Sequence, residues 1–172
     1  MEIRLADKKD INHIAELYIK NHKITYKNLL SEEYLASLTL DYGRAKWETY
    51  LSDENKKIWV ACENGLFLGF VAGMEDPELE FTWYLDSLHV TENARGKGAG
   101  TALIQTIGGY ALEHHYQKMS ICIVKGNDQA GRLYKKLGAK HDKDFIDSFG
   151  NTTSYSEKLL WEELTLFMKR SN

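Results

Sequence analysis

Arg95-Gly96-Lys97-Gly98-Ala99-Gly100 stands between a long aromatic and aliphatic run, Phe81 to Val90, and a helical pattern from about Gly98 to His115. The run reads as a central strand, so the glycines form a strand-to-helix turn. Glycines at 96, 98 and 100 let the backbone come close to a ligand, and a helix N-terminus turns free N–H groups and partial positive charge toward it. Arg95 and Lys97 add full charges. A phosphate or pyrophosphate is the guest this chemistry suits. Two nucleotide signatures fit poorly. No GxxxxGK followed by Ser or Thr occurs, and the dinucleotide pattern GxGxxG fails at Thr101 and finds no acid within Lys118 to Lys125. The plainer alternative is a turn that only joins strand to helix.

Downstream, Met119 to Val124 reads as a buried strand. Ala130, Leu133, Tyr134 and Leu137 then recur at helical spacing, between Asn127 or Asp128 as N-cap and Gly138 as C-terminal stop. Strand, helix, strand in this order predicts a right-handed crossover. Upstream, Lys57 to Glu63 and Leu66 to Met74 are joined by Asn64-Gly65, which predicts an antiparallel hairpin. Glu2 to Leu5 reads as a short strand, and Ile11, Ile14, Ala15, Tyr18 and Ile19 predict an amphipathic helix from Asp10 to about Asn21. Ser31 caps a second short helix, and Arg44 to Leu51 is helical in pattern. The last third predicts a strand from Lys140 to Ile146, a polar loop to about Glu157, and a strand from about Lys158 to Met168. No repeat or linker interrupts residues 1–172, so a single α/β domain is expected.

Composition narrows the partners. A chain of 172 residues with 43% hydrophobic content suits one core, burying roughly two thirds of the unfolded surface. The net charge of −3 hides an asymmetry: residues 1–94 carry 10 basic and 17 acidic side chains, residues 95–172 carry 12 and 8. One region therefore suits a cation and the other an anion. No basic helix or basic cluster with interleaved aromatics stands out, so no nucleic-acid partner is expected. The opening MEIRLADKKD lacks an apolar h-region, and the longest apolar stretch, Leu66 to Met74, is too short to cross a bilayer. No membrane partner and a cytoplasmic location follow as expectations. Cys62 and Cys122 lie in apolar runs and read as buried thiols in a reducing compartment, and no metal site is expected.

The run Leu85-Asp86-Ser87-Leu88-His89-Val90, followed by Arg95 to Gly100, resembles motif A of the GNAT superfamily of N-acetyltransferases, whose signature is (Q/R)xxGx(G/A). Asn127, Ala130, Tyr134 and Gly138 fit that family's motif B pattern NxxAxxxYxxxG, and Gly69-Phe70-Val71, Tyr26 and Tyr34-Leu35 also look like family pieces. Glu92 and Ala139 depart from the proline and phenylalanine common there. The resemblance implies a three-layer fold: a mixed sheet of six to seven strands, splayed between strands 4 and 5, with helices on both faces. It implies acetyl-CoA as cosubstrate, with Arg95, Gly96, Lys97, Gly98, Ala99, Gly100 and Thr101 around the pyrophosphate. Leu88, His89, Val90 and Asn127 would lie along the pantetheine arm. The implied activity is acetyl transfer to a primary amine of a small molecule, polyamine or peptide by direct attack on the thioester. The alternative is a catalytically silent CoA-binding sensor, and homodimers are common in the family.

Acetyl transfer requires the amine to lose a proton, the oxyanion to meet donors, and the departing thiolate to be protonated. The resemblance gives Tyr134 the last task, although its spacing alone reads as core. A strand N–H near Leu88 is the simplest oxyanion donor. For the base, Asp86 comes first, on the face of Leu88 and Val90 in a strand without a bulge, and Glu80 second. A carboxylate in a strand of Trp, Tyr and Leu is costly unless paired or functional. Between Gly73 and Ala94 stand six carboxylates (Glu75, Asp76, Glu78, Glu80, Asp86 and Glu92) and no Lys or Arg, a stretch that would attract a cationic amine. Tyr26, Trp83, Tyr84 and Phe149 are candidate walls of the acceptor pocket. Gly108-Gly109 inside a helix costs about 1 kcal/mol per glycine relative to alanine, which predicts close packing of that helix on the sheet.

Overall fold

The structure, a computed structural model, describes residues 1–170. In chain order the elements are β1 (Glu2–Leu5), α1 (Ile11–Thr25), α2 (Glu32–Ser37), α3 (Leu40–Ser52), β2 (Lys56–Glu63), β3 (Leu66–Glu75), β4 (Thr82–Val90), α4 (Ala99–Glu113), β5 (Lys118–Val124), α5 (Asp128–Lys136), β6 (Lys140–Phe149), β7 (Thr152–Trp161) and α6 (Leu164–Arg170). The strands form one mixed sheet in the order β1-β2-β3-β4-β5-β7-β6. Local chemistry explains several boundaries. Asp7 and Asp10 form a capping box ahead of α1, Ser31 Oγ accepts from Tyr34 N–H at 3.2 Å, and Asn64 and Gly65 take the positive φ angles of a two-residue hairpin turn.

Apolar clusters cover both faces of the sheet. One joins α4 and α6 to Leu85, Met119, Leu159 and Trp161; the other joins α1 and α3 to Ile58, Val60 and Phe70. Each such large apolar side chain contributes about 1.5–3 kcal/mol on burial. Every strand pair is antiparallel except β4 with β5, whose ladder is confined to Thr82–Tyr84 against Lys118–Ser120. Beyond Tyr84 the two strands part, as expected for a sheet splayed between strands 4 and 5.

The last third departs from the pattern reading. β6 and β7 form a long hairpin through a turn at Gly150, whose φ is +57°, so the expected polar loop is strand. Residues 152–155 of β7 pair with β6 past the end of the β5 ladder at Ser156, and such an extension buries little and leaves a weak hydrophobic signal. The expected strand to Met168 ends at Trp161, and Leu164 and Phe167, three apart, bury one side of helix α6. This helix accounts for Gly108: a Cβ there would lie 2.9 Å from Phe167 Cε1. The close approach is to α6 and not to the sheet. Cys62 and Cys122 are half-buried, which corrects their reading as fully buried thiols.

A bulge in β4 redirects its side chains. Ala72 pairs with Ser87 and Gly73 with Leu85, leaving Asp86 as the extra residue. Leu85, Leu88 and Val90 all pack with the α4 cluster, whereas Asp86 turns toward Tyr50 on α3. Asp86 therefore does not share the face of Leu88 and Val90. Among the described residues no helix is long and apolar enough to cross a membrane.

Candidate active site

A cavity of about 780 Å³ opens where β4 and β5 part. Four structural features converge on it: the turn before α4, the free edge of β4, residues along α5 from its N-cap to Lys136, and aromatic side chains of α1 and β6.

At the turn, Gly96 and Gly98 have φ of +72° and +88°, a region that favours glycine. The first α-helical bond of α4 runs from Ala102 N–H to Gly98 O at 2.9 Å. The N–H groups of Ala99, Gly100 and Thr101 precede it and have no intrahelical acceptor. Gly96, Gly98, Gly100 and Thr101 line the cavity with Arg95; Lys97 is exposed beside the turn, and Ala99 is buried beneath it. Arg95 Nη2 donates to Asn21 Oδ1 at 3.1 Å, which fixes the cation beside the glycines. This is a cradle of donors for an anion.

The edge of β4 follows from its register. Thr91 N–H donates to Leu68 O at 2.8 Å, and neighbouring residues in a strand turn their backbone groups to opposite sides. Leu88 and Val90 thus direct N–H and C=O away from β3 toward the parted β5. Asn21 Nδ2 donates to Val90 O at 3.3 Å, meeting that open edge from α1. His89 lies differently from its neighbours. Its ring packs on Phe70 at 5.3 Å, Tyr18 at 5.5 Å and His22 at 5.4 Å, on the α1 side. Burial, with nearby His22, Arg95 and Lys46, holds it well below the usual histidine range, so it is neutral. Burial likewise lowers His22 to about 4.

The candidate chemical groups separate clearly. Tyr134 is buried, lines the cavity, and packs edge-on against Trp161 at 5.9 Å. Burial pushes its phenol up, so it keeps its proton at neutral pH. Asp86 also lines the cavity. Burial pushes its carboxyl up, and Lys46, Lys56 and Tyr50 pull part of the way back. The buried Tyr50 hydroxyl faces Asp86 without a hydrogen bond of ordinary geometry. Tyr26, Tyr84 and Phe149 form cavity walls, and Asn127 lies beside Tyr26. Asn127 occupies the N-cap position of α5 but makes no capping bond with its side chain.

Several expectations fail here. Glu80 is exposed just ahead of β4 and does not line the cavity; its backbone carbonyl accepts from Thr82 Oγ1 at 3.0 Å. Trp83 is core, packed on Tyr110 and Tyr116 on the α4 side, because odd positions before the bulge face that way. The acidic stretch does not line the site as a whole. Asp76 is buried against Lys158 Nζ at 2.8 Å, and Glu78 pairs with Lys143 at 2.7 Å, so of the six carboxylates Asp86 alone lines the cavity. Sequence reasoning missed Asn21, His22, Lys46 and Asp147, all of which line the cavity. Asn21 had a signal: it follows Ile14 and Tyr18 at helical spacing, a polar residue on an apolar face. On the outer hairpin, His141, Asp144 and Glu157 gather, but Lys125 and Lys135 already pair with the two carboxylates.

A sequence profile described as the Acetyltransferase (GNAT) family matches residues 23–139. The N-acetyltransferase YhfO of Bacillus subtilis, itself uncharacterised, is 28% identical over 149 residues, covering 85% of this chain and 94% of its own. An N-acetyltransferase structure from Staphylococcus aureus Mu50 superposes with a TM-score of 0.72 at 26% identity, covering 95% and 98% of the two chains. YncA of Salmonella typhimurium, a structure with its cofactor acetyl-CoA, gives 0.71 at 23% identity, covering 95% and 94%. The profile spans the glycine turn, the open β4 edge and the helix that carries Tyr134, and on that match the chain belongs to the GNAT family of acetyltransferases.

Proposed function

We propose that the chain transfers the acetyl group of acetyl-CoA, the donor of its family, to a primary amine, with Asp86 as proton acceptor and Tyr134 as proton donor. The observation that carries this reading is convergence: the α4 N-terminus, the free edge of β4, Tyr134 and Asp86 all border one cavity. The donor fits the residues present. Backbone N–H groups at Ala99, Gly100 and Thr101 with Arg95 suit a pyrophosphate, and the open edge at Leu88 and Val90 suits the amides of the pantetheine arm.

Asp86 works from the other side of β4, where the bulge turns it toward the acceptor. A carboxyl pushed above its ordinary range is the stronger base for an ammonium proton. Tyr134 holds its proton until sulfur leaves and then supplies it. The backbone N–H of Leu88 is the donor for the developing oxyanion. Tyr26, Tyr84 and Phe149 enclose the acceptor with Asp147, so two carboxylates face the amine.

Thiol release from acetyl-CoA in the presence of a panel of amines tests the activity. Tyr134→Phe should lower turnover about a hundredfold, in the range for a positioned proton donor, and leave acetyl-CoA affinity unchanged. Tight CoA binding without thiol release from any acceptor would instead support the silent sensor.

A further inference from the structure

The acidic and basic side chains lining the cavity, histidines aside, are Lys46, Asp86, Arg95, Lys136 and Asp147. Arg95 belongs to the glycine turn and is held by Asn21. Lys136 is exposed in the last turn of α5. Lys46 remains without an assigned role, and its setting is unusual. Its basic neighbours Arg44 and Lys56 pair with Asp41 and Asp53, whereas among the described residues Lys46 makes no ion pair. It is half-buried, its Nζ held 5.5 Å from the Tyr18 ring centroid and 5.3 Å from that of Trp47. The Tyr18 ring packs in turn on His22 at 4.1 Å, and both line the cavity. An ammonium taken partly out of water, without a carboxylate, is stabilised when an anion is delivered to it.

The position of Lys46 selects which molecule brings that anion. Lys46 stands on α3, on the side of β4 that carries Asp86 and His89, and it acts electrostatically on both. The pyrophosphate cradle lies at the α4 N-terminus, and the open β4 edge serves the same ligand. The anion at Lys46 therefore arrives with the acceptor. Asp86 and Asp147 attract the acceptor's ammonium, and Lys46, within electrostatic reach of Asp86, lines the same cavity with the opposite sign.

We propose that the acceptor is a zwitterion of the α-amino acid type, with its carboxylate bound by Lys46 and its amine directed to Asp86. This rests on the acetyltransferase reading for the amine and adds the anion as the specificity element. It sets the chain apart from an enzyme for polyamines, whose acceptors have no carboxylate.

The test uses matched pairs that differ only by the carboxylate: L-phenylalanine with phenethylamine, L-methionine with 3-(methylthio)propylamine, and L-lysine with cadaverine. Each is titrated into the CoA-saturated protein by calorimetry and assayed for thiol release with acetyl-CoA. In at least one pair the amino acid should bind about tenfold or more tightly than its decarboxylated partner, equivalent to about 1.4 kcal/mol. Lys46→Met should bring that ratio close to one, and Lys46→Arg should retain it. A ratio near one in the parent protein, or binding of no pair member, overturns the proposal. So does an equal change for both members in Lys46→Met with a displaced pH profile, which would make Lys46 only a counter-charge for Asp86. A binding preference without thiol release would uphold this inference and overturn the activity; thiol release without the preference would do the reverse.

Discussion

Asp76 and Asp86 lie ten positions apart in one acidic stretch, and the fold gives them opposite settings. Asp76 stands where β4 and β5 are still paired. Its side chain is 0% exposed and that of Lys158 is 4% exposed, with Nζ–Oδ2 at 2.8 Å. Ser120 Oγ donates to the same carboxylate, as do the backbone N–H groups of Glu78 and Leu79 at 2.9 and 3.0 Å. Burial alone would raise this carboxyl, but Lys158, Ser120 and the backbone donors outweigh it and the result is a lowered pKa. Asp86 stands where the strands have parted, with no cation in contact, and burial prevails there and raises its pKa. A buried carboxylate with all its bonds made stabilises the join of β3, β5 and β7, and one left without them is available for chemistry.

Breaking the compensated member of this comparison should have the largest effect. Lys158→Met leaves Asp76 buried and unpaired, which should cost about 3–5 kcal/mol, the range for removing one partner of a buried ion pair. Urea unfolding reads it directly. Next comes Asp86→Asn, which should lower turnover about a hundredfold while the unfolding midpoint stays level or rises, since a desolvated charge is removed. A large loss of stability in Asp86→Asn would erase the distinction.

A smaller effect is expected at the anion cradle. Gly98 has open space where a Cβ would point, so Gly98→Ala strains only the backbone at φ +88°. That conformation costs an alanine about 1–2 kcal/mol, and acetyl-CoA affinity should fall about tenfold if the turn relaxes to relieve it. Calorimetry with the variant checks this.

The mildest probe is pH. The folded-state pKa of Asp76 is lowered, so its contribution is present above the ordinary carboxylate range and is lost as pH falls through the folded value. For Asp86 the sign reverses. Its folded pKa is raised, so stability declines as pH rises from the ordinary value to the folded one, while turnover increases across the same folded value. Thermal unfolding across the acid range should show Asp86→Asn without that decline and Asp76→Asn without the acid loss.

The candidate anion turn is legible in the sequence, because a glycine turn between a strand and a helix is a local feature. Residues 95 to 100 could be found by spacing, and so could the central hairpin and the crossover from β4 to β5, whereas Tyr134 reads as core by spacing and took its role from the family resemblance. The β6–β7 hairpin was harder. Residues 146–155 run past the end of the β5 ladder and bury little, so alternation in hydrophobicity faded where the strands persisted. Helix α6 reads as strand in the sequence, since seven residues carry too few helical periods to separate helix from strand.

Residue type and spacing thus marked the α4 N-terminus as a turn suited to an anion and the strands on either side of it as parallel. They did not decide which acid borders the cavity, which of Trp83 and Tyr84 is wall and which is core, or that α1 and α3 contribute Asn21, His22 and Lys46. A single extra residue in β4 reverses the facing of Asp86, and a lysine 82 positions away neutralises Asp76. Both are consequences of pairing between distant segments, and charge compensation is a property of neighbours in space.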